Sequence, residues 1–378
     1  MTSRRYDLDT LRIIAFALLI FYHIGMFYVS WGWHVKSVHA GPAAEPLMRL
    51  LNPWRLSLLF LISGMALRFA IDKSDRLSRF GWQRALRLFI PLLFGMFVVV
   101  TPQAWLQLVE SGEFQKGLID FYPGYLFDIY SITTPTWNHL WYLAYILVYT
   151  VLLLPLARPL SRLSLSIEPK LQRLLDHRLG WLGLLLIVFT PHMIFRLTLD
   201  ARFPTTHDLT YDWANHAHSL TWLLSGYMMA KSAAFWDALR AGRWPLLMLS
   251  AILAFTLTIV WLNWEAITID VTWLWPARVG RVVYYCAVIL TLLAWAQQLA
   301  AKDWRGRAYL SEAVFPYYIL HQTIIVTAGY WLTRQDLNVG TEVSLLMAAT
   351  VLGCLAGHEI IRRIPLLRPL FGLKRRAP

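Results

Sequence analysis

Residues 11–29 read LRIIAFALLIFYHIGMFYV, a run long and apolar enough to cross a bilayer that nevertheless carries Arg12 and His23. A cation about one turn into a membrane and an imidazole near its middle are costly there unless each has a partner. The two lie eleven positions apart. At about 100° per residue, eleven steps return to within roughly 20° of the start, so both side chains share one helix face, about 16 Å apart along the axis. Such a face suits a polar cavity.

Working outward, the rest of the chain keeps the bilayer as its solvent. Of 378 residues, 57% are hydrophobic and 15% charged, mean hydropathy is +0.48, and 19 Trp with 17 Tyr are available for the membrane interfaces. The expected fold is all-α and polytopic. About ten apolar runs of membrane-crossing length follow one another, at 11–29, 56–71, 88–108, 139–156, 181–199, 214–230, 245–264, 282–300, 311–331 and 343–361. An even number of spans puts both termini on one side. Most of the 35 Lys and Arg fall on that side, in Arg4 and Arg5 and in the stretches 68–87, 158–178, 231–243, 302–307 and 362–376. The opposite loops hold Glu110, Glu113, Asp120, Asp128, Asp200, Asp208, Asp212 and Asp270. Basic residues accumulate in cytoplasmic loops, so both termini are expected in the cytoplasm. The net charge of +13 then reads as a topology signal and as contact with anionic lipid, not as a nucleic-acid surface.

Several classes drop out. The first run carries Arg12 and His23, precedes the bulky Trp31-Gly32-Trp33-His34, and lacks a small-residue cleavage site, so it is expected to stay in the mature protein. No stretch reads as a soluble domain, and residues 1–378 are expected to form a single transmembrane domain. Cys286 and Cys354 both sit in apolar runs, with no pattern for a disulfide or a zinc site. His216 and His218, two apart, point to different faces of a helix, so no metal is expected there. The longest outer loop, 109–138, is rich in Tyr, Pro and Gly; it is either a cover over an outward-facing site or only a long connection.

The run Leu8-Asp9-Thr10-Leu11-Arg12, then ten residues, then His23 resembles the Arg-x10-His opening of the acyltransferase-3 family of membrane proteins. Further likenesses follow in the same order. Leu59-Phe60-Leu61-Ile62-Ser63-Gly64 resembles the family's Phe-Phe-x-x-Ser-Gly, and Arg84-Ala85-Leu86-Arg87-Leu88-Phe89-Ile90-Pro91 resembles its basic motif. This chain departs from the pattern at Leu59, where the family has Phe, and at Gln83, where many members have Arg. Trp33-His34-Val35, His139-Leu140-Trp141-Tyr142-Leu143 and the tail from His358-Glu359 to Leu373 are most similar to members that succinylate periplasmic glucans.

The resemblance implies a bacterial inner-membrane enzyme. It would transfer an acyl group, succinyl in preference to acetyl, from cytoplasmic acyl-CoA to a hydroxyl of a periplasmic or surface glycan, with acyl-CoA as donor substrate and no tightly bound cofactor. Such chemistry needs a base for the hydroxyl proton, a group that stabilises the tetrahedral oxyanion, and a track for the donor. His23 is the candidate base, a neutral imidazole being suited to that role. Arg12 is assigned to the donor's pantetheine or phosphate end; the alternative is a simple clamp with Asp9, which can also cap the helix. Arg84 and Arg87 are assigned to the CoA phosphates, which guanidinium forks bind well, although topology alone also explains two arginines there.

Three outer positions complete the set. Arg55, at the outer entrance of the second span, can hold a carboxylate or the acceptor, or can snorkel to headgroups. His139, between Trp137 and Trp141, is assigned with Trp141 to the acceptor; an interfacial aromatic belt explains the tryptophans equally well. His321 and Glu359 match polar positions of the family and are read as interhelical hydrogen-bond partners, Glu359 for an arginine. A competing class, a transporter of an anionic or acylated solute, also uses buried polar residues, but no internal repeat or paired broken helices support it.

Overall fold

The computed structural model describes residues 5–269 and 271–375, and every regular element among them is helical. Arg4, Asp270 and Arg376, three residues of the charge pattern, lie outside the described residues. The α-helices are α1 (Tyr6–Tyr28), α2 (Glu45–Ile71), α3 (Leu77–Phe94), α4 (Thr101–Glu110), α5 (Leu118–Leu126), α6 (Trp141–Leu175), α7 (Gly180–Thr198) and α8 (Trp213–Met229). They continue as α9 (Ala233–Ala241), α10 (Arg243–Leu262), α11 (Trp264–Ile269), α12 (Leu274–Leu299), α13 (Arg307–Leu332), α14 (Val339–Arg363) and α15 (Leu367–Leu370). A π-helical turn, Gly95–Val99, joins α3 to α4.

Eight helical stretches are long and apolar enough to cross a membrane: Tyr6–Tyr28, Pro42–Ile71, Leu77–Glu110, Asn138–Leu175, Gly180–Thr198, Arg243–Leu262, Leu274–Leu299 and Val339–Arg363. The fold is that of a polytopic membrane protein. The other two expected spans are helices as well, but α8 has only 17 residues, and α13 is diluted by Arg307, Glu312, His321 and Gln322. Several helices also overrun their apolar runs. Glu45, Arg49 and two prolines hide the first turns of α2, so Arg55 lies within the helix and not at its entrance. Pro155, Pro159 and Pro169 likewise conceal that α6 continues for 35 residues through the basic stretch. α1 begins at Tyr6, which puts Asp9 inside its first turn instead of at the cap.

The chain forms two compact units interleaved in sequence. The first takes the N-terminal stretch through Ala15, Pro46–Phe80 and Val151–Arg307; the second takes Phe16–Glu45, Gly81–Thr150 and the stretch from Ala308 onward. In the first unit α2 and α8 cross at reciprocal glycines. A Cβ on Gly64 would stand 1.9 Å from the Leu223 carbonyl oxygen, and one on Gly226 would stand 2.0 Å from that of Leu61. Small residues are what let helix backbones approach this closely. Below the crossing, buried Arg68 donates to Ser164 (2.8 Å) and Asp72 (2.9 Å), and Lys231 also reaches Asp72. Burial works against ionising the Asp72 carboxyl, but the bonds from Lys231 and Arg68 prevail and hold it below its ordinary range.

In the second unit Ile24 and Phe27 of α1 pack with Leu106 of α4, Ile325 and Val326 of α13 and Leu346 of α14. The long loop 109–138 is an ordered piece of this unit. Phe121 and Tyr125 of α5 are fully buried against Ala104 and Leu108 of α4, and the Tyr125 hydroxyl donates to the Met96 carbonyl in the π-helical turn (2.6 Å).

Candidate active site

The second unit gathers three histidines. His23 comes from α1, His321 from α13, and His139 from a 3-10 turn (Asn138–Leu140) that leads into α6. His23 Nδ1 and His321 Nε2 are 2.7 Å apart, with the two rings nearly parallel at 10°. His139 stands edge-on to both, its ring centroid 5.0 Å from that of His321 and 6.5 Å from that of His23.

The backbone fixes who donates. His321 Nδ1 faces the Tyr317 carbonyl at 3.0 Å, and a carbonyl can only accept, so that nitrogen carries the proton. With both imidazoles neutral, His321 Nε2 then accepts from His23 Nδ1–H, and the lone pair of His23 resides on Nε2. That is the tautomer a proton acceptor needs, held by an orienting partner as a nucleophile's base is held in acyl transfer. His139 Nε2–H donates to the Ile319 carbonyl (3.1 Å), and the Tyr318 hydroxyl donates to the His139 carbonyl (2.5 Å). The lone pair of His139 therefore lies on Nδ1, a buried atom with no hydrogen-bond partner among the described residues.

A chain of amides braces this trio. His34, in the loop after α1, donates from Nδ1 to Gln107 (2.5 Å) and accepts at Nε2 from Gln322 (3.0 Å). The Gln322 amide also reaches Gln103 Oε1 (3.0 Å), while Gln103 donates to Thr323 (2.6 Å), whose hydroxyl donates to the Val99 carbonyl of the π-helical turn (2.6 Å). Gln103 and Gln322 are 0% and 3% exposed, so each of these bonds satisfies a group that would otherwise be stranded. Burial lowers the pKa of His34, against the opposing pull of Gln107, and its neutral form is the one that can accept from Gln322. A π-helical turn at this point is in keeping with the tendency of such bulges to mark functional sites.

Of the residues singled out in the sequence, the structure brings together His23 and His139 and adds His321 to them. Trp141 begins α6 and packs edge-on against Tyr145 at 4.9 Å, its ring buried by protein. Arg84 donates to Thr150 (3.3 Å), and Arg87 donates to the carbonyl of Gly372 (2.6 Å), a residue in the left-handed region at φ 70°. Arg12 and Arg55 belong to the first unit. Arg12 lies 3.8 Å from Asp9, whose carboxylate also receives Arg307 at 3.0 Å. Arg55 is buried and bonds to Asn52 Oδ1 at 2.6 Å, which sets aside the snorkelling reading. Glu359 takes Arg362 (3.1 Å) and Arg363 (2.9 Å) from its own helix and not the interhelical arginine expected; its interhelical partner is the Tyr309 hydroxyl of α13 (2.9 Å). His321, expected to be an interhelical hydrogen-bond partner, is one, and its partner is His23; the sequence signal that ties it to the site is His321-Gln322-Thr323, three polar residues in succession inside an apolar helix.

Residues 5–359 match the model of the acyltransferase 3 family, described as an acyltransferase domain. Among curated proteins, the chain is 30% identical to the Glucans biosynthesis protein C of Escherichia coli strain K12 over 160 residues, and equally to that of strain SMS-3-5. Each match covers 40% of this chain and 38% of the relative's length. No solved structure matches the chain.

Proposed function

We propose, from the fact that this chain belongs to the acyltransferase 3 family, that it is a membrane O-acyltransferase in which His23 is the general base and His321 its positioning partner. The observation that carries this reading is the 2.7 Å contact between His23 Nδ1 and His321 Nε2, with His321 Nδ1 committed to a backbone carbonyl. An acceptor hydroxyl gives its proton to His23 Nε2 as its oxygen attacks the thioester carbon. The acyl–oxygen bond forms, the acyl–sulfur bond breaks, and the proton leaves with the departing thiolate as free CoA thiol. While His23 is an imidazolium, its Nδ1–H bond to His321 becomes charge-assisted and therefore stronger. This is stabilisation gained in the transition state and not in the ground state. The unpaired lone pair on His139 Nδ1 suits a second hydroxyl of the acceptor, where it would orient the nucleophile.

The donor is acyl-CoA on the cytoplasmic side and the acceptor a glycan outside. The glucan-biosynthesis name of the curated relatives supports a glucan, and the likeness of residues 33–35 and 139–143 to succinylating members favours succinyl over acetyl. Arg12, Arg84 and Arg87 are the donor-side cations in this reading, and Arg55 the acyl- or acceptor-side one. Mass spectrometry of envelope and periplasmic glycans from cells with and without the gene tests it. A glycan that loses a succinyl or acetyl mass with the gene identifies the group and the acceptor together; identical glycan spectra would reject the reading.

A further inference from the structure

The first unit holds a second polar centre that acyl transfer does not use. Asp200, just beyond α7, receives Arg196 (2.9 Å) and His218 Nε2–H (3.0 Å). With that nitrogen protonated, neutral His218 carries its lone pair on Nδ1 and accepts from His192 Nδ1–H at 2.8 Å. His192 is 1% exposed; its ring lies nearly flat on Trp222, centroids 4.6 Å apart, and meets Tyr285 of α12 edge-on at 5.7 Å. Trp222 and Tyr285 close the triangle at 6.4 Å.

This triangle contains polar atoms that nothing among the described residues binds. Trp222 Nε1 and the Tyr285 hydroxyl are buried and have no hydrogen-bond partner among the described residues. Leaving such buried groups unmatched is costly, so a polar guest is expected. Arg281 lies one turn before Tyr285 on the same face of α12 and, among the described residues, makes no hydrogen bond or ion pair of its own. Asp200, a carboxylate within its electrostatic reach, already neutralises Arg196, and Arg49 adds a further positive charge nearby. The unmatched groups share one character. An indole N–H only donates, a phenol O–H can donate, and a guanidinium offers five donors, so the missing partner is an acceptor that carries negative charge.

We propose that Trp222, Tyr285 and Arg281 form a binding site for an oxyanion, a carboxylate or phosphate group, in the first unit. The inference stands apart from the acyl-transfer reading. The group can belong to a soluble anion or to an anionic lipid headgroup, and the test separates the two. Purified full-length protein in neutral detergent is dialysed to equilibrium against labelled succinate and, separately, inorganic phosphate. In parallel, native mass spectrometry counts phosphatidylglycerol retained from nanodiscs of phosphatidylcholine with and without that lipid. Saturable binding is expected in at least one arm and should weaken tenfold or more in Arg281→Gln and in Tyr285→Phe. Arg278→Gln, which removes an equal charge from an exposed position three residues away, should bind as the parent does. Tyr285→Phe removes a single oxygen and so decides the matter if Arg281→Gln melts early. The proposal is overturned if no arm shows saturable binding, if Tyr285→Phe binds within twofold of the parent, or if Arg278→Gln weakens binding as much as Arg281→Gln.

Discussion

His23 and His321 are joined by one short hydrogen bond, and the consequences of cutting it from either end differ. His23→Ala removes the base itself, and turnover should fall by roughly a hundredfold to ten-thousandfold while donor binding and thermal midpoint stay near the parent's. His321→Ala leaves the base present but unoriented. It should lower kcat with KM for the donor little changed and displace the acid limb of the pH–rate profile, whereas a residue that only packs would shift the melting point and leave that limb in place. His34 offers a pH test outside the spans. Burial lowers its pKa in the folded protein, so the unfolded chain binds this proton first as pH falls. Stability from this group is therefore complete above about pH 6.5 and declines below it, by at most about 1.4 kcal/mol per pH unit. The unfolding midpoint of the parent should drop between about pH 7 and about pH 5 more than that of His34→Gln, measured by thermal scans in detergent. At this scale His23 and His139 were legible because an ionisable residue in an apolar run announces itself. The relation between His23 and His321 was not, since 298 positions separate them and only the packing of α1 against α13 brings their rings together.

At the scale of helices, glycine placement makes the sharpest prediction. Any side chain at Gly226 drives a carbon into the Leu61 carbonyl, which is backbone and cannot rotate away. Gly226→Val should force α2 and α8 apart and destabilise the protein by about 1–3 kcal/mol or more, read as a lowered thermal midpoint. Val on Gly280, where a Cβ meets nothing within 4 Å, should have little steric effect, which makes it the matched control. The apolar cores of the helices could be read directly from the sequence. Their ends could not, because the first turns of α2 and the last turns of α6 carry charges and prolines that look like connections until neighbouring helices cover them. The π-helical turn was equally hidden. Its role depends on Thr323 and Tyr125 arriving from elsewhere to take the Val99 and Met96 carbonyls.

At the scale of the molecule, the two units are interleaved in sequence, and the boundary between them falls within α1, with Arg12 in the first unit and His23 in the second. The basic loops set the orientation in the proposed topology, and reporter fusions within residues 158–178 and after residue 378 should both read cytoplasmic. A periplasmic signal at either would break the ten-span topology. The most direct test of the account is acyl transfer by the purified protein, with labelled succinyl-CoA or acetyl-CoA as donor and a glucan oligosaccharide as acceptor, comparing the parent with His23→Ala at equal amounts of folded protein. The account predicts labelled acyl ester on the glucan with the parent and a loss of about a hundredfold or more with the variant. Near-normal transfer by folded His23→Ala would contradict it.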